Sequence, residues 1–156
     1  EISECLVGSE MCIETACESL EGTASNKKIT FTYNFCEPEE LLVYADKQKI
    51  LQVLGNLCDN AIKFSHEESE ICLHTFTKGE KVFISIKDSG IGIPREDLNL
   101  IWDRFYKTDL SRGKDKLGSG LGLAICREII NAHKQTIDVV STVGVGSEFV
   151  FTLSKA

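Results

Sequence analysis

The chain has 156 residues, with 42% hydrophobic and 26% charged side chains and a formal net charge of −7. That size and mixture suit one soluble domain with a single core, and the acidic balance argues against a nucleic-acid surface. No apolar run approaches the roughly 20 residues of a membrane span.

Residues 12–24 place Cys12, Ile13, Ala16, Cys17, Leu20 and Ala24 at helical spacing. Ile29, Phe31, Tyr33 and Phe35 alternate with Lys28, Thr30, Thr32 and Asn34, the pattern of a half-buried strand. A short apolar strand is expected at 41–45. Asp46 is placed to cap a long helix running to about residue 65. Strands are expected near 70–77 and 81–87, joined at Lys78-Gly79-Glu80. A glycine loop spans 88–94, and Pro94 suits the first turn of a short helix reaching residue 102 or 105. Residues 107–119 are polar and aperiodic, a mobile loop. A helix over about 120–132 and a hairpin of 136–141 with 148–153 complete the chain. Helices alternate with strands, some of them consecutive, so the expectation is α/β: one mixed, mainly antiparallel sheet with helices on one face.

Seven cysteines, without a Cys-x-x-Cys pair, lack the spacing of a zinc site. Cys58 and Cys126 fall within helical patterns and Cys72 within a strand pattern. They read as buried reduced thiols in a reducing compartment.

The long helix is two-sided. At about 100° per residue, Ile50, Leu54, Leu57, Ala61 and Phe64 share one side. Gln52, Asn56, Asn60 and Lys63 share the other, within roughly 80°. A solvated face is the ordinary alternative. Such faces favour Glu, Lys and Arg, which are better helix formers than Asn. Carboxamide oxygens can ligate a hard cation, and amide nitrogens can donate to phosphate.

Two glycine loops follow. Asp88-Ser89-Gly90-Ile91-Gly92-Ile93-Pro94 succeeds a strand, where one glycine would serve a simple turn. Asp88 is a carboxylate able to accept from an exocyclic amine such as that of adenine. Gly118-Ser119-Gly120-Leu121-Gly122 opens a helix, whose free N–H groups favour anions. It follows a loop rather than a strand, and so fails the dinucleotide fingerprint; no Walker A segment occurs. Between the loops, residues 104–118 hold five cationic side chains against two carboxylates. A solvated loop would account for them, and so would a cationic cover over polyphosphate.

Together these stretches resemble the catalytic, ATP-binding domain of bacterial sensor histidine kinases, in the GHKL superfamily. Residues 52–65, with Asn56, Asn60 and Lys63, are similar to its N box. Residues 88–94 resemble its G1 box, and Ile101-Trp102-Asp103-Arg104-Phe105-Tyr106 its F box. Residues 118–123 resemble the G2 box, and Gly144-Val145-Gly146-Ser147-Glu148-Phe149 the last glycine motif. The resemblance implies a Bergerat-type α/β sandwich that binds ATP and Mg²⁺. It implies Asn56 as the Mg²⁺ ligand and, with Lys63, as catalytic machinery, with Asn60 and Lys63 on the phosphates. Asp88 would take the adenine amine. Gly90, Gly92, Ile93 and Phe149 would shape the adenine pocket. Lys107, Gly118, Ser119, Gly120, Leu121 and Gly122 would form the lid and its phosphate contacts. The family's usual His-Gly-Gly is here His133-Lys134-Gln135, which leaves the helix end open.

The resemblance also implies a missing half. The phosphoacceptor histidine of this family lies on a helical hairpin, and no segment here matches it. His74 and His133 read as structural. His66-Glu67 matches the acceptor dipeptide but follows the N-box helix in a polar loop. Because the chain opens on Glu1, it reads as a fragment: residues 1–11 a remnant linker, residues 12–156 the catalytic domain. The expected partners are the histidine-containing dimerisation domain of the same protein and a response-regulator receiver domain, with no nucleic acid. The full protein is expected to be a homodimer anchored in the bacterial inner membrane, with this domain cytoplasmic and, as a fragment, monomeric. The rival readings are a serine kinase or hydrolytic ATPase of the same superfamily, whose members commonly carry glutamate where Asn56 stands, and a nucleotide-sensing module without transfer activity.

Overall fold

The computed structural model describes residues 2–7, 13–35, 41–106 and 122–156. In chain order these form β1 (Ser3–Val7), α1 (Ile13–Glu18), α2 (Glu21–Asn26), β2 (Thr30–Asn34), β3 (Leu41–Ala45) and α3 (Lys47–Phe64). Then come β4 (Glu70–Lys78), β5 (Lys81–Lys87), a 3-10 turn (Arg95–Asp97), α4 (Gly122–Ala132), β6 (Ile137–Thr142) and β7 (Gly146–Lys155).

The strands make one sheet in the order β1-β3-β7-β5-β4-β2, with β6 also paired to β7. Only β2 with β4 is parallel; the other pairs are antiparallel. Register sorts the side chains. Leu73 faces Ile86, and Ile86, Ile84 and Val82 face Phe149, Phe151 and Leu153 across β7. All of these are buried, so one face of the sheet is mainly apolar, with buried Thr75 opposite Ile84 as a polar exception. Onto it pack Ile50, Val53, Leu54, Leu57, Ala61 and Ile62 of α3, and Cys126, Ile129 and Ile130 of α4. The two-sided pattern of residues 46–65 thus finds its partner in the sheet. Asp46 caps α3 by accepting from the Lys49 N–H at 3.3 Å.

Two expectations need revision, and two further points become clear. Where one helix was expected over residues 12–24, the described residues form two short ones, Ile13–Glu18 and Glu21–Asn26. The Ser19 hydroxyl returns to the Ala16 carbonyl at 2.8 Å, which competes with helix propagation there. After Pro94 only one 3-10 turn forms. The bonds are of the tighter kind, from Asp97 N–H to Pro94 O and from Leu100 N–H to Asp97 O, both 2.9 Å. Phe105 then takes a positive φ of 64° that ends any helix. Within the segment expected to be a remnant linker, Ser3–Val7 pairs with β3 along five residues. Finally, the end of α4 is well defined without glycine. Lys134 adopts the left-handed position at φ 58°, while Lys134 N–H reaches Asn131 O and Gln135 N–H reaches Ile130 O. This is a Schellman cap built on lysine. The mobile loop expected at 107–119 lies outside the described residues.

Candidate nucleotide site

Asp88 stands at the exit of β5 and is 6% exposed. Gly90 N–H donates to its Oδ1 at 2.9 Å, and Ser147 N–H donates to the same oxygen at 3.3 Å. Among the described residues, Oδ2 accepts no hydrogen bond. Burial pushes the carboxyl above its ordinary range, and the two backbone donors only partly offset it. The result is a buried carboxylate held by one oxygen and open at the other.

Protein, rather than space, surrounds the loop. A side chain on Gly90 would overlap the Phe64 carbonyl at the end of α3. One on Gly92, at φ 74°, would overlap the Thr142 carbonyl at the end of β6. Both glycines therefore permit backbones to touch. Ile91 N–H completes the contact with Phe64 O at 3.1 Å. The loop is locked to the hairpin by Asp88 N–H to Ser147 O and Gly144 N–H to Ile91 O, each 2.9 Å, and by Ile93 N–H to Ser141 Oγ at 2.8 Å. Ser141 and Ser147 hydroxyls meet at 2.7 Å. These two serines position Asp88 and Ile93, yet no expectation singled them out. Their signal was available only as the residue following Gly146 and its partner across the hairpin.

On α3, Asn56 Nδ2 donates to Gly122 O at 3.5 Å, joining the N-box stripe to the start of α4. Its Oδ1 has no hydrogen-bond partner among the described residues. Asn60 is half-buried on the same face. Lys63 lies 3.1 Å from Asp59, one turn back. Phe149 is 2% exposed and meets Trp102 edge-on at 5.9 Å, with Arg127 above the indole at 5.9 Å. It is a covered core residue beneath the F box, and Ile93 is partly buried beside the core. Lys107, Gly118, Ser119, Gly120 and Leu121 lie outside the described residues.

The C-terminal end of α3 carries a device that sequence reasoning missed. Lys27 Nζ donates to the carbonyls of Ile62 and Lys63, both at 2.9 Å, and of Ser65 at 3.3 Å. One ammonium thus serves three carbonyls at a helix end. The side chain of Ser65 itself is buried, and its Oγ has no hydrogen-bond partner among the described residues.

No group of three or more His, Cys, Asp or Glu among the described residues forms a metal cage. A Mg²⁺ ion usually keeps several waters and takes few protein oxygens plus substrate phosphates. The free carboxamide oxygen of Asn56, beside an anion-favouring helix start, fits that mode.

Helices on one face of a mostly antiparallel sheet, with an asparagine helix and a buried aspartate on a glycine loop, define an ATPase-type α/β sandwich. The sequence profile of the histidine kinase-, DNA gyrase B- and HSP90-like ATPase family matches residues 45–156, and the chain belongs to that family. It is 39% identical over 132 residues to the sensor protein SrrB of Staphylococcus aureus, covering 85% of this chain and 22% of that protein. It is 38% identical over 116 residues to the sensor histidine kinase YclK of Bacillus subtilis, covering 74% of this chain and 24% of that protein. The chain therefore spans under a quarter of the length of these relatives. The nucleotide-free catalytic domain of histidine kinase ThkA superposes with a TM-score of 0.83 at 31% identity, over 99% of this chain and 96% of that one. ThkA has also been solved in complex with the response regulator protein TrrA, where the TM-score is 0.80 at 29% identity, over 99% of this chain and 42% of that one. Among the described residues no helix is long and apolar enough to cross a membrane.

Proposed function

We propose that this chain is the catalytic unit of a protein-histidine kinase, which binds Mg·ATP and presents its γ-phosphoryl group to an imidazole on a separate domain. The observation that carries the reading is the open Oδ2 of buried Asp88. A carboxylate pushed up by desolvation gains from a donor, and the exocyclic amine of adenine supplies one. Asn60 and Lys63 lie one and two turns along α3 from Asn56, suited to donate to phosphate oxygens. Lys63 exchanges its Asp59 partner for phosphate. Asn56, through Oδ1, would hold Mg²⁺, which when bound would neutralise charge on the phosphates. By the family resemblance, Lys107, Gly118, Ser119, Gly120, Leu121 and Gly122 would supply the lid and its phosphate contacts.

In transfer, the bond from the γ-phosphorus to the β,γ-bridging oxygen breaks as a bond to the imidazole nitrogen forms. ADP leaves, and the imidazole proton passes to a base on the acceptor domain. The chain contributes position and charge rather than a covalent intermediate. We assign β1 to the same unit, with the acceptor hairpin upstream. ThkA is found in complex with the response regulator protein TrrA, and by that likeness the whole protein would hand its phosphoryl group to a response regulator. We place it as a homodimer in the bacterial inner membrane, with this domain in the cytoplasm.

The test uses the chain, a purified acceptor domain and γ-labelled ATP. Acid-labile label should appear on the acceptor and depend on Mg²⁺. The chain alone should stay unlabelled, because His66 is only a few residues from the helix that holds the phosphates. GTP, with a carbonyl where adenine has its amine, should bind much more weakly by calorimetry; equal affinity would sink the assignment.

A further inference from the structure

Three thiols lie in the core beneath the amide stripe. Cys17 on α1 and Cys58 on α3 are both fully buried, with sulfurs 3.8 Å apart. Cys126 on α4 is also fully buried and donates to the Val53 carbonyl at 3.7 Å. The fold uses them as small hydrophobes, but the first two do more than fill space. Their sulfurs are in contact, and they sit on different helices across one seam. Cys58 falls between Asn56 and Asn60, so whatever moves its helix moves the stripe.

We propose that Cys17 and Cys58 are a reversible disulfide site, formed with a peroxide as oxidant, that couples the redox state of the chain to its nucleotide affinity. The affinity half rests on the function proposed above; the disulfide half does not. The chemistry balances as two steps. The Cys17 thiolate attacks a peroxide oxygen, forming a sulfenic acid and releasing water after protonation. Cys58 then attacks that sulfur, the S–O bond breaks, and a second water leaves. Two thiols lose two protons and two electrons, and the peroxide is reduced to water.

The surroundings assign the roles. Contact with the Cys58 thiol, and a hydrogen bond from Tyr33, hold the Cys17 thiol below its ordinary range. The same contact with Cys17, together with burial, pushes Cys58 well above it. Burial pushes Cys126 up to about 12, so it stays protonated. Cys17 lies on the short α1, the element that opens most readily, so it is the attacking group; Cys58, in contact with it on α3, resolves, and Cys126 is a spectator. Access comes through α1. A six-residue helix has little stability of its own and opens at lower cost than the sheet. Tyr33, which adjoins Cys17, is 38% exposed at that margin. Forming the bond draws the sulfurs from 3.8 Å to roughly 2 Å, pulling α1 and α3 together at the level of the stripe.

The experiment treats the folded chain with hydrogen peroxide, blocks free thiols, and maps peptides without reduction. A linked Cys17–Cys58 peptide should dominate, disappear with dithiothreitol, and be absent in Cys17→Ala and Cys58→Ala. Oxidised protein should bind a fluorescent ATP analogue at least threefold more weakly than reduced protein, with full recovery on reduction. Cys17→Ala should bind as reduced wild type does and ignore peroxide. Oxidation confined to other cysteines would overturn the site. A formed bond with unchanged affinity would overturn the coupling. Failure of the reduced chain to bind nucleotide would instead count against the proposed function, leaving the peptide map to stand on its own.

Discussion

Asp88 carries two demands that oppose each other. Its burial costs the folded apo protein, since the charged form is desolvated and only Oδ1 is repaid by backbone donors. Its folded pKa lies above the unfolded one. The stability it contributes is therefore present at low pH and lost as pH rises through the folded value. Nucleotide binding needs the ionised form, so ATP affinity should fall as pH drops into that raised range, while the apo protein gains. Asp88→Asn separates the two. The amide oxygen can still accept from Gly90, and the desolvation cost disappears, so the apo melting temperature should hold or rise. ATP binding should weaken by about 1–3 kcal/mol, because an amide nitrogen now faces the adenine amine. A variant that melts lower and binds ATP normally would reverse the assignment. Lys134 offers a test of opposite sign. A lysine in the left-handed region pays about 1 kcal/mol that glycine does not. Lys134→Gly should raise the melting temperature by about 2–4 °C, read by calorimetry. The place of Asp88, at the exit of a strand and ahead of two glycines, was legible in the sequence. Ser141 and Ser147 were not, because a serine's partner across a hairpin depends on register, which the sequence leaves open.

At the scale of elements, α3 was the most legible part of the chain. Its apolar side, its cap at Asp46 and its amide stripe follow from an 18-residue periodic segment, long enough for the pattern to dominate. The shorter elements were less so. Residues 13–26 keep helical spacing throughout, yet a single serine hydroxyl divides them. The turn after Pro94 carries a good helix start but too few i−4 bonds to continue. What fixes the far end of α3 was invisible, because Lys27 is 35 residues from Ile62 in sequence. Its ammonium answers three carbonyls that would otherwise be short of donors. It does so next to Phe64, whose carbonyl receives the Ile91 N–H of the glycine loop. Lys27→Met keeps the aliphatic stem and removes the donors. Stability should fall by about 1–3 kcal/mol in urea titration. Lys27→Arg should recover part of the loss. A Lys27→Met chain as stable as wild type would show that water serves these carbonyls equally well.

Across the whole molecule, the sheet decides where the domain begins. β3 is held unevenly: it pairs with β7 at two positions, Val43 with Lys155 and Tyr44 with Ser154, and Leu42 O accepts from the Ala156 N–H at 2.9 Å. On its other side it pairs with β1 along five positions. β3 runs directly into Asp46, which caps α3 and whose N–H donates to His133 Nε2 at 3.0 Å. His133 is tied in turn by Nδ1 to Ile129 O at 2.8 Å. A weakly anchored β3 would therefore disturb the start of the asparagine helix and its tie to α4. The N-terminal residues gave no such sign, because five residues of edge strand carry too short a pattern to separate from a linker. Deleting residues 1–7 tests the boundary. If the domain starts after them, the shortened chain should melt as the full one does and stay monomeric. If β1 belongs to the fold, its loss strips β3 of most of its ladder and uncovers a strand edge. The expected outcome is the second: a loss of about 2 kcal/mol, or roughly 4–8 °C in melting temperature, with self-association visible by light scattering. ATP should partly restore the melting temperature, because a ligand that binds only the folded state stabilises it by mass action.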